Sequence, residues 1–174
     1  MPEVRSFSPS PAPVIAPLTP EQTPWFRVFH INDSTDDQVL FQAACRRGNI
    51  PFNWHVADSA DKGISYLQTL REHAGKVPVC WPDLILLDVV MPIRSGFEVL
   101  KFIRATPEVK HLPVVIFSAA LYPDCEKESM RLGANLFLLK PLDFKEVVEL
   151  AKNLYRMLLD VKGGGGGSGQ SRGI

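Results

Sequence analysis

The residues Leu84-Ile85-Leu86-Leu87 form an apolar run with no polar interruption, closed by Asp88 and bracketed by Pro82 and Pro92. So short a run without alternation suits a parallel strand covered on both faces, not one with a wet side. Burying the carboxylate that follows without a partner costs several kcal/mol. Asp88 is therefore expected where the strand emerges, with a cation or hydrogen-bond donors beside it. In open α/β sheets the carboxyl end of a central strand is where ligands bind. Taken alone, Asp88 reads equally well as a cap for the turn before Pro92, and other stretches must decide.

Those stretches alternate between strand and helix. Apolar runs at Phe26 to Ile31, Trp54 to Ala57, Val114 to Phe117 and Leu136 to Leu139 give four more strands. Ser34 can cap a helix whose inner face uses Val39, Leu40, Ala43 and Ala44 and which Gly48 stops. Asp58 or Ser59 caps a second, with Ile64, Leu67 and Leu70 on one stripe. A third follows Gly96 with Phe97, Leu100 and Ile103 and ends at Pro107. Asp124 caps a short fourth helix through Met130, terminated by Gly133. The fifth, about Phe144 to Leu159, carries Val147, Val148, Leu150, Ala151, Leu154 and Leu158. Five strands, each followed by a helix, give an α/β fold: a doubly wound parallel sheet in three α/β/α layers.

Composition narrows the function classes. With 19 basic and 19 acidic residues in 174 the net charge is zero, so nucleic-acid binding has no electrostatic support. Cys45, Cys80 and Cys125 are widely spaced, signalling neither a disulfide framework nor a zinc site, and a reducing cytoplasm is the expected compartment. No apolar run is long enough to span a membrane, and no signal peptide is evident. Residues 1–24, with prolines at 2, 9, 11, 13, 17, 20 and 24, read as a disordered arm. Residues 161–174, with their run of glycines, read as a flexible tail. The folded domain is expected over 25–160.

Parallel strands all point one way, so the residues closing each run gather at one edge of the sheet. Here they are Asn32, Asp33, Asp88, Ser118 and Lys140. The set suits phosphoryl transfer. Asp33 and Asp88 can hold Mg²⁺ with waters and phosphate oxygens, and Asp88 can attack phosphorus as a nucleophile. Lys140 and the metal can neutralise the equatorial oxygens while the Ser118 hydroxyl donates to one of them.

These pieces resemble the receiver domains of two-component response regulators. They are Ile31-Asn32-Asp33, Leu86 through Pro92, Gly96-Phe97-Glu98, Phe117-Ser118-Ala119 and Leu139-Lys140-Pro141. Each is weak alone; together, in this order and spacing, they are strong. The resemblance covers about Trp25 to Asp160 and implies a flavodoxin-like strand order of 2-1-3-4-5. It implies that Asp88 is the phosphorylated residue, Asp33 a metal ligand, Val90 a ligand through its main-chain carbonyl, Ser118 the switch hydroxyl and Lys140 the pocket lysine. It also implies a cis Lys140-Pro141 bond. Receivers usually carry two adjacent acids where this chain has Asn32-Asp33. Asn32 can still accept a bond from metal-bound water, but Mg²⁺ is expected to bind less tightly, by ~1 kcal/mol. That departure also admits a degenerate receiver that works without phosphorylation.

The implied function is a stand-alone response regulator. It would take a phosphoryl group from a histidine kinase or phosphotransfer protein and signal by protein contact, since only tail follows Asp160. Ser118 moving towards the phosphoryl group, with the Phe137 ring turning inward behind it, is the expected switch, changing the surface of the fourth helix, fifth strand and fifth helix. Phe137 reads equally as an ordinary core aromatic. The fifth helix is chiefly core, with a wider face at Tyr155 and Met157 open to a downstream partner, and a homodimer would use the fourth and fifth helices. Val90 and Ala120 occupy positions whose side chains in receivers influence the hydrolytic water. Neither can hydrogen-bond one, so self-dephosphorylation is expected to be slow, and beyond that self-chemistry no enzyme activity is expected. The long loop from His73 to Trp81 loosely resembles that of receivers paired with phytochrome-type kinases.

The rival is an enzyme on the same sheet. A hydrolase elbow Gly-x-Ser-x-Gly and a dinucleotide Gly-x-Gly-x-x-Gly are both absent. An aspartyl-phosphate phosphatase usually carries a second Asp where this chain has Val90, and a flavodoxin-like redox protein has no further support. His30, His55, His73 and His111 are scattered, and His30, inside the first strand, is expected to be buried and neutral.

Overall fold

A computed structural model describes residues 25–119 and 124–164. Its five strands are β1 (Phe26–Ile31), β2 (Phe52–Ala57), β3 (Leu84–Leu87), β4 (Val114–Ser118) and β5 (Leu136–Leu139). The helices between and after them are α1 (Thr35–Arg47), α2 (Ala60–His73), α3 (Gly96–Ala105), α4 (Cys125–Arg131) and α5 (Phe144–Gly164). All strands are parallel, in the order β2-β1-β3-β4-β5. The doubly wound, flavodoxin-like reading is correct.

The lack of alternation in the strands has its explanation in two apolar layers. Phe29, Ile31, Ile85, Leu87 and Ile116 face α2, α3 and α4, packing with Leu67, Val99, Leu100 and Ile103. Phe26, Val28, Leu84, Leu86 and Phe117 face α1 and α5, packing with Phe41, Ala44, Val147, Ala151 and Leu154. Successive side chains of a strand point to opposite faces, so a sheet covered on both sides demands apolar residues throughout. His30 lies within this packing, 1 % exposed, with Phe41 and Trp54 as ring neighbours. Among the described residues no helix is long and apolar enough to cross a membrane.

Four local expectations are corrected. The inner face of α1 is Gln38, Phe41, Ala44 and Cys45, whereas Val39 and Leu40 are exposed. A helix advances about 100° per residue, so an inner face chosen one position away turns two large side chains into solvent. Asp124 precedes α4 in the left-handed conformation, φ 70°, and its side chain makes no cap; it pairs instead with Lys127 at 2.9 Å. No cis peptide occurs among the described residues, so the Lys140-Pro141 bond is trans. Finally, α5 runs on to Gly164 instead of stopping before 161. Its last turn is held where Lys162 reaches Asp83 at 3.3 Å and lies over the Phe26 ring, 4.4 Å from its centre. The proline-rich arm of 1–24, Ala120 and the glycine tail from 165 onward lie outside the described residues.

Candidate functional site

Register brings the strand ends together. Ile31 pairs with Leu87, Leu87 with Ile116, and Ser118 with Leu139. The next residues along β1, β3 and β5, namely Asn32, Asp88 and Lys140, therefore emerge side by side with Ser118. Three backbone bonds extend the ladder past the strands: Asp88 N–H to Ile31 O at 2.9 Å, Asn32 N–H to Ala57 O at 3.0 Å and Lys140 N–H to Ser118 O at 3.0 Å.

Asp88 is 5 % exposed, and each of its carboxylate oxygens has a donor. Oδ1 accepts from the Ser118 hydroxyl at 3.0 Å and from the Val90 N–H at 3.1 Å. Oδ2 accepts from Lys140 Nζ. The expectation that a buried carboxylate must find a cation and donors is met within the chain. Gly96 is part of the same construction: a Cβ there would sit 1.9 Å from the Asp88 carbonyl oxygen, so only glycine lets α3 start against the strand end.

The remaining candidates divide by environment. Asn32 is fully buried, and its Oδ1 accepts the Ser34 N–H at 2.9 Å. Asp33 is exposed on the loop beside it. Val90 is 59 % exposed, its side chain directed away from the packed interior. Phe137, on β5, is half-buried against the cluster that contains its strand partner Ile116. Asp37, which the strand-end pattern did not single out, joins the site from the first turn of α1, with Oδ2 2.7 Å from Lys140 Nζ. Burial pushes the Asp37 carboxyl up, but the Lys140 hydrogen bond and charge, helped by the Asn32 amide, outweigh it and hold it below the usual carboxylate range. Burial together with the charge of Lys140 pushes His30 down to about 4, against a smaller opposing pull from Asp37.

The donors available to a metal are the Asp33 and Asp88 carboxylates, the Val90 carbonyl and the Asn32 amide oxygen. All are hard oxygen ligands. Among the described residues no three His, Cys, Asp or Glu side chains converge as a ready cage. Mg²⁺ binds through one or two carboxylates with waters and phosphate oxygens, so the pair of acids fits it. Asn32 offers only an oxygen that the Ser34 N–H already uses.

The sequence pattern of the response regulator receiver domain matches residues 34–152. The chain is 33% identical over 128 residues to two-component response regulator ORR1 of Oryza sativa subsp. indica, a match covering 72% of this chain and 54% of the relative. It thus spans about half the length of that rice protein. It is 25% identical over 143 residues to response regulator Rcp1 of Synechocystis sp., covering 82% of this chain and 95% of Rcp1. The Mn²⁺-bound structure of Rcp1 superposes with a TM-score of 0.64 at 25% identity, covering 78% of this chain and 95% of that one. The phosphorylated cyanobacterial phytochrome response regulator RcpA superposes with a TM-score of 0.67 at 26% identity, covering 79% of this chain and 96% of that one. The fold, the strand-end constellation and these likenesses converge: the chain belongs to the response regulator receiver domain family of two-component signalling.

Proposed function

We propose that the protein is phosphorylated on Asp88 by a histidine kinase or phosphotransfer protein and signals through contacts with a downstream protein. The observation that carries this reading is the Asp88 carboxylate itself, buried at the end of a central strand and held by Lys140, Ser118 and the Val90 N–H. A carboxylate oxygen forms the new P–O bond as the donor's P–N bond to histidine breaks. The donors that orient the carboxylate are the groups able to take up the phosphoryl oxygens. Lys140 supplies positive charge on one side, and the Ser118 hydroxyl supplies a hydrogen bond on the other. Asp33, Asp88 and the Val90 carbonyl would hold a Mg²⁺, which when bound would supply charge neutralisation for the incoming group.

A phosphoryl group on Asp88 carries about −1.5 to −2 of charge in place of the single negative charge of the carboxylate. Ser118 now donates to Asp88 Oδ1, and a phosphoryl oxygen competes for that hydroxyl. Its shift would draw the end of β4 inward, and a turn of the half-buried Phe137 ring would carry the change to the surface of α4, β5 and α5. A phytochrome-type kinase is the donor suggested by the likeness to RcpA. The test is mass spectrometry after incubation with acetyl phosphate and Mg²⁺. One phosphoryl group is expected, lost in Asp88→Asn and in the presence of a chelator. An unlabelled wild-type protein would overturn the reading.

A further inference from the structure

The resemblance calls for two adjacent acids after β1, and the chain offers one. The Ser34 N–H can bond only to an oxygen, which fixes the orientation of the Asn32 amide. Its Nδ2 is then directed towards the Asp37 carboxylate, whose charge it favours, but among the described residues no acceptor lies within hydrogen-bond distance of it. An amide stands there where the resemblance implies a charge. A carboxylate returns to the pocket five residues later.

The first turn of α1 is built to aim it. The Ser34 hydroxyl accepts the Asp37 N–H at 3.2 Å, the Gln38 N–H bonds to Ser34 O at 3.1 Å, and the buried Gln38 Nε2 bonds to Asn32 O at 2.6 Å. With both ends of the turn pinned, Asp37 has little freedom, and its Oδ2 lies 2.7 Å from Lys140 Nζ. The lysine side chain is 12% exposed. A small cavity of about 40 Å³ beside it is walled by Leu40, Phe41, Phe117 and Val147, while the Asp37 side chain is 37% exposed, so solvent screens the pair from the aspartate side only. An acid at 32 would set a second carboxylate close to Asp37; the neutral amide removes that repulsion.

We infer that Asp37 is a positioning residue of the phosphorylation site, holding the Lys140 ammonium beside Asp88 and replacing, on the lysine side of the pocket, the acid that Asn32 lacks. A lysine side chain has four rotatable bonds and loses much entropy on being fixed. A second carboxylate keeps Nζ in place before the phosphoryl group arrives. The positioning stands on geometry alone; its consequence for transfer rests on Asp88 being the phosphoacceptor.

The experiment reads the two separately. Acetylation of lysines by a water-soluble acetylating ester is followed by peptide mass spectrometry, with exposed Lys145 as internal reference. In the isosteric Asp37→Asn variant, Lys140 is expected to react severalfold faster, the loss of an ion pair with a partly exposed carboxylate. Lys145 and the melting temperature are expected to stay unchanged, and Asp37→Glu to restore protection. In parallel, the initial rate of labelling by acetyl phosphate is expected to fall in Asp37→Asn and to recover in Asp37→Glu. Unaltered Lys140 reactivity in a folded Asp37→Asn protein would overturn the inference even if Asp88 takes label. A changed reactivity with no label on the wild-type protein would leave the positioning intact and remove the phosphoacceptor reading.

Discussion

Gly96 and Asp88 meet backbone to backbone: the position of a Cβ on residue 96 falls 1.9 Å from the Asp88 carbonyl oxygen, and the Gly96 N–H bonds to Val89 O at 2.9 Å. The atom in the way is main chain, so no rotamer change relieves it. Gly96→Ala is expected to cost about 3 kcal/mol, the upper end for overpacking, as a lower urea midpoint. Because the displaced atoms belong to the strand end that carries Asp88, the proposed phosphoacceptor, the remaining folded protein is expected to label more slowly with acetyl phosphate.

His30 makes the fold sensitive to mild acid. Among the described residues neither ring nitrogen has a partner, and the group is pushed from 6.5 to about 4 by burial and by Lys140, with Asp37 opposing. Between those values the unfolded chain takes up a proton that the folded one refuses, so stability falls as pH drops from 6.5 towards 4. The full window is worth about 3 kcal/mol. His30→Phe, close in volume, is expected to lose less stability than the parent between pH 7 and pH 5 in urea titrations. Asp37, with a lowered carboxyl, stabilises above its unfolded value of 3.8 and yields only below it, outside this window.

Most of the site was legible because its residues close apolar runs. Ile31-Asn32, Leu87-Asp88, Phe117-Ser118 and Leu139-Lys140 each mark the point where a buried strand must end, and parallel register does the gathering. Asp37 carried no such mark. Whether a residue in the first turn of a helix faces the sheet depends on helix phase, and the phase of α1 is set by a polar residue, Gln38, whose buried amide is satisfied by Asn32 O. Reading the inner face from Val39 and Leu40 missed it, since a hydrophobic count gives no weight to a glutamine with a partner. The left-handed Asp124 was hidden for a related reason: a good capping residue type says nothing about the backbone conformation that sets where its side chain points.

Arg104 ties the end of α3 to two connections, the one leading into β4 and the one leading into β5. Its guanidinium donates to Gly133 O at 2.7 Å, to Lys110 O and Leu112 O at 3.0 Å, and to Asn135 Oδ1 at 2.9 Å. Asn135 Oδ1 also accepts the Val114 N–H at 2.8 Å, so one side chain sets the starts of both β4 and β5. Arg104→Ala is expected to cost about 3 kcal/mol, with several acceptors left unpaired. Arg104→Lys is expected to recover less than half of this, because a point charge cannot span the fork. Denaturant titration of the two variants checks both.

Val90 is mostly exposed and offers no group to hold water. A phosphorylated Asp88 is accordingly expected to lose its label slowly. Val90→Asn combined with Ala120→Glu is expected to shorten the lifetime of the label severalfold, measured by intact-protein mass spectrometry after the donor is removed. A lifetime equal to the parent's would show that these positions do not govern hydrolysis here.

The sheet separates two apolar clusters with no side chain in common. Asp37 belongs to a helix rooted in one of them, and Arg104 to a helix rooted in the other. Substitutions on the outer surfaces of α2 and α3 therefore leave the anchorage of the Asp37–Lys140 pair as it was, whereas α5, part of the proposed output surface, shares its cluster with α1 and is tied to that anchorage.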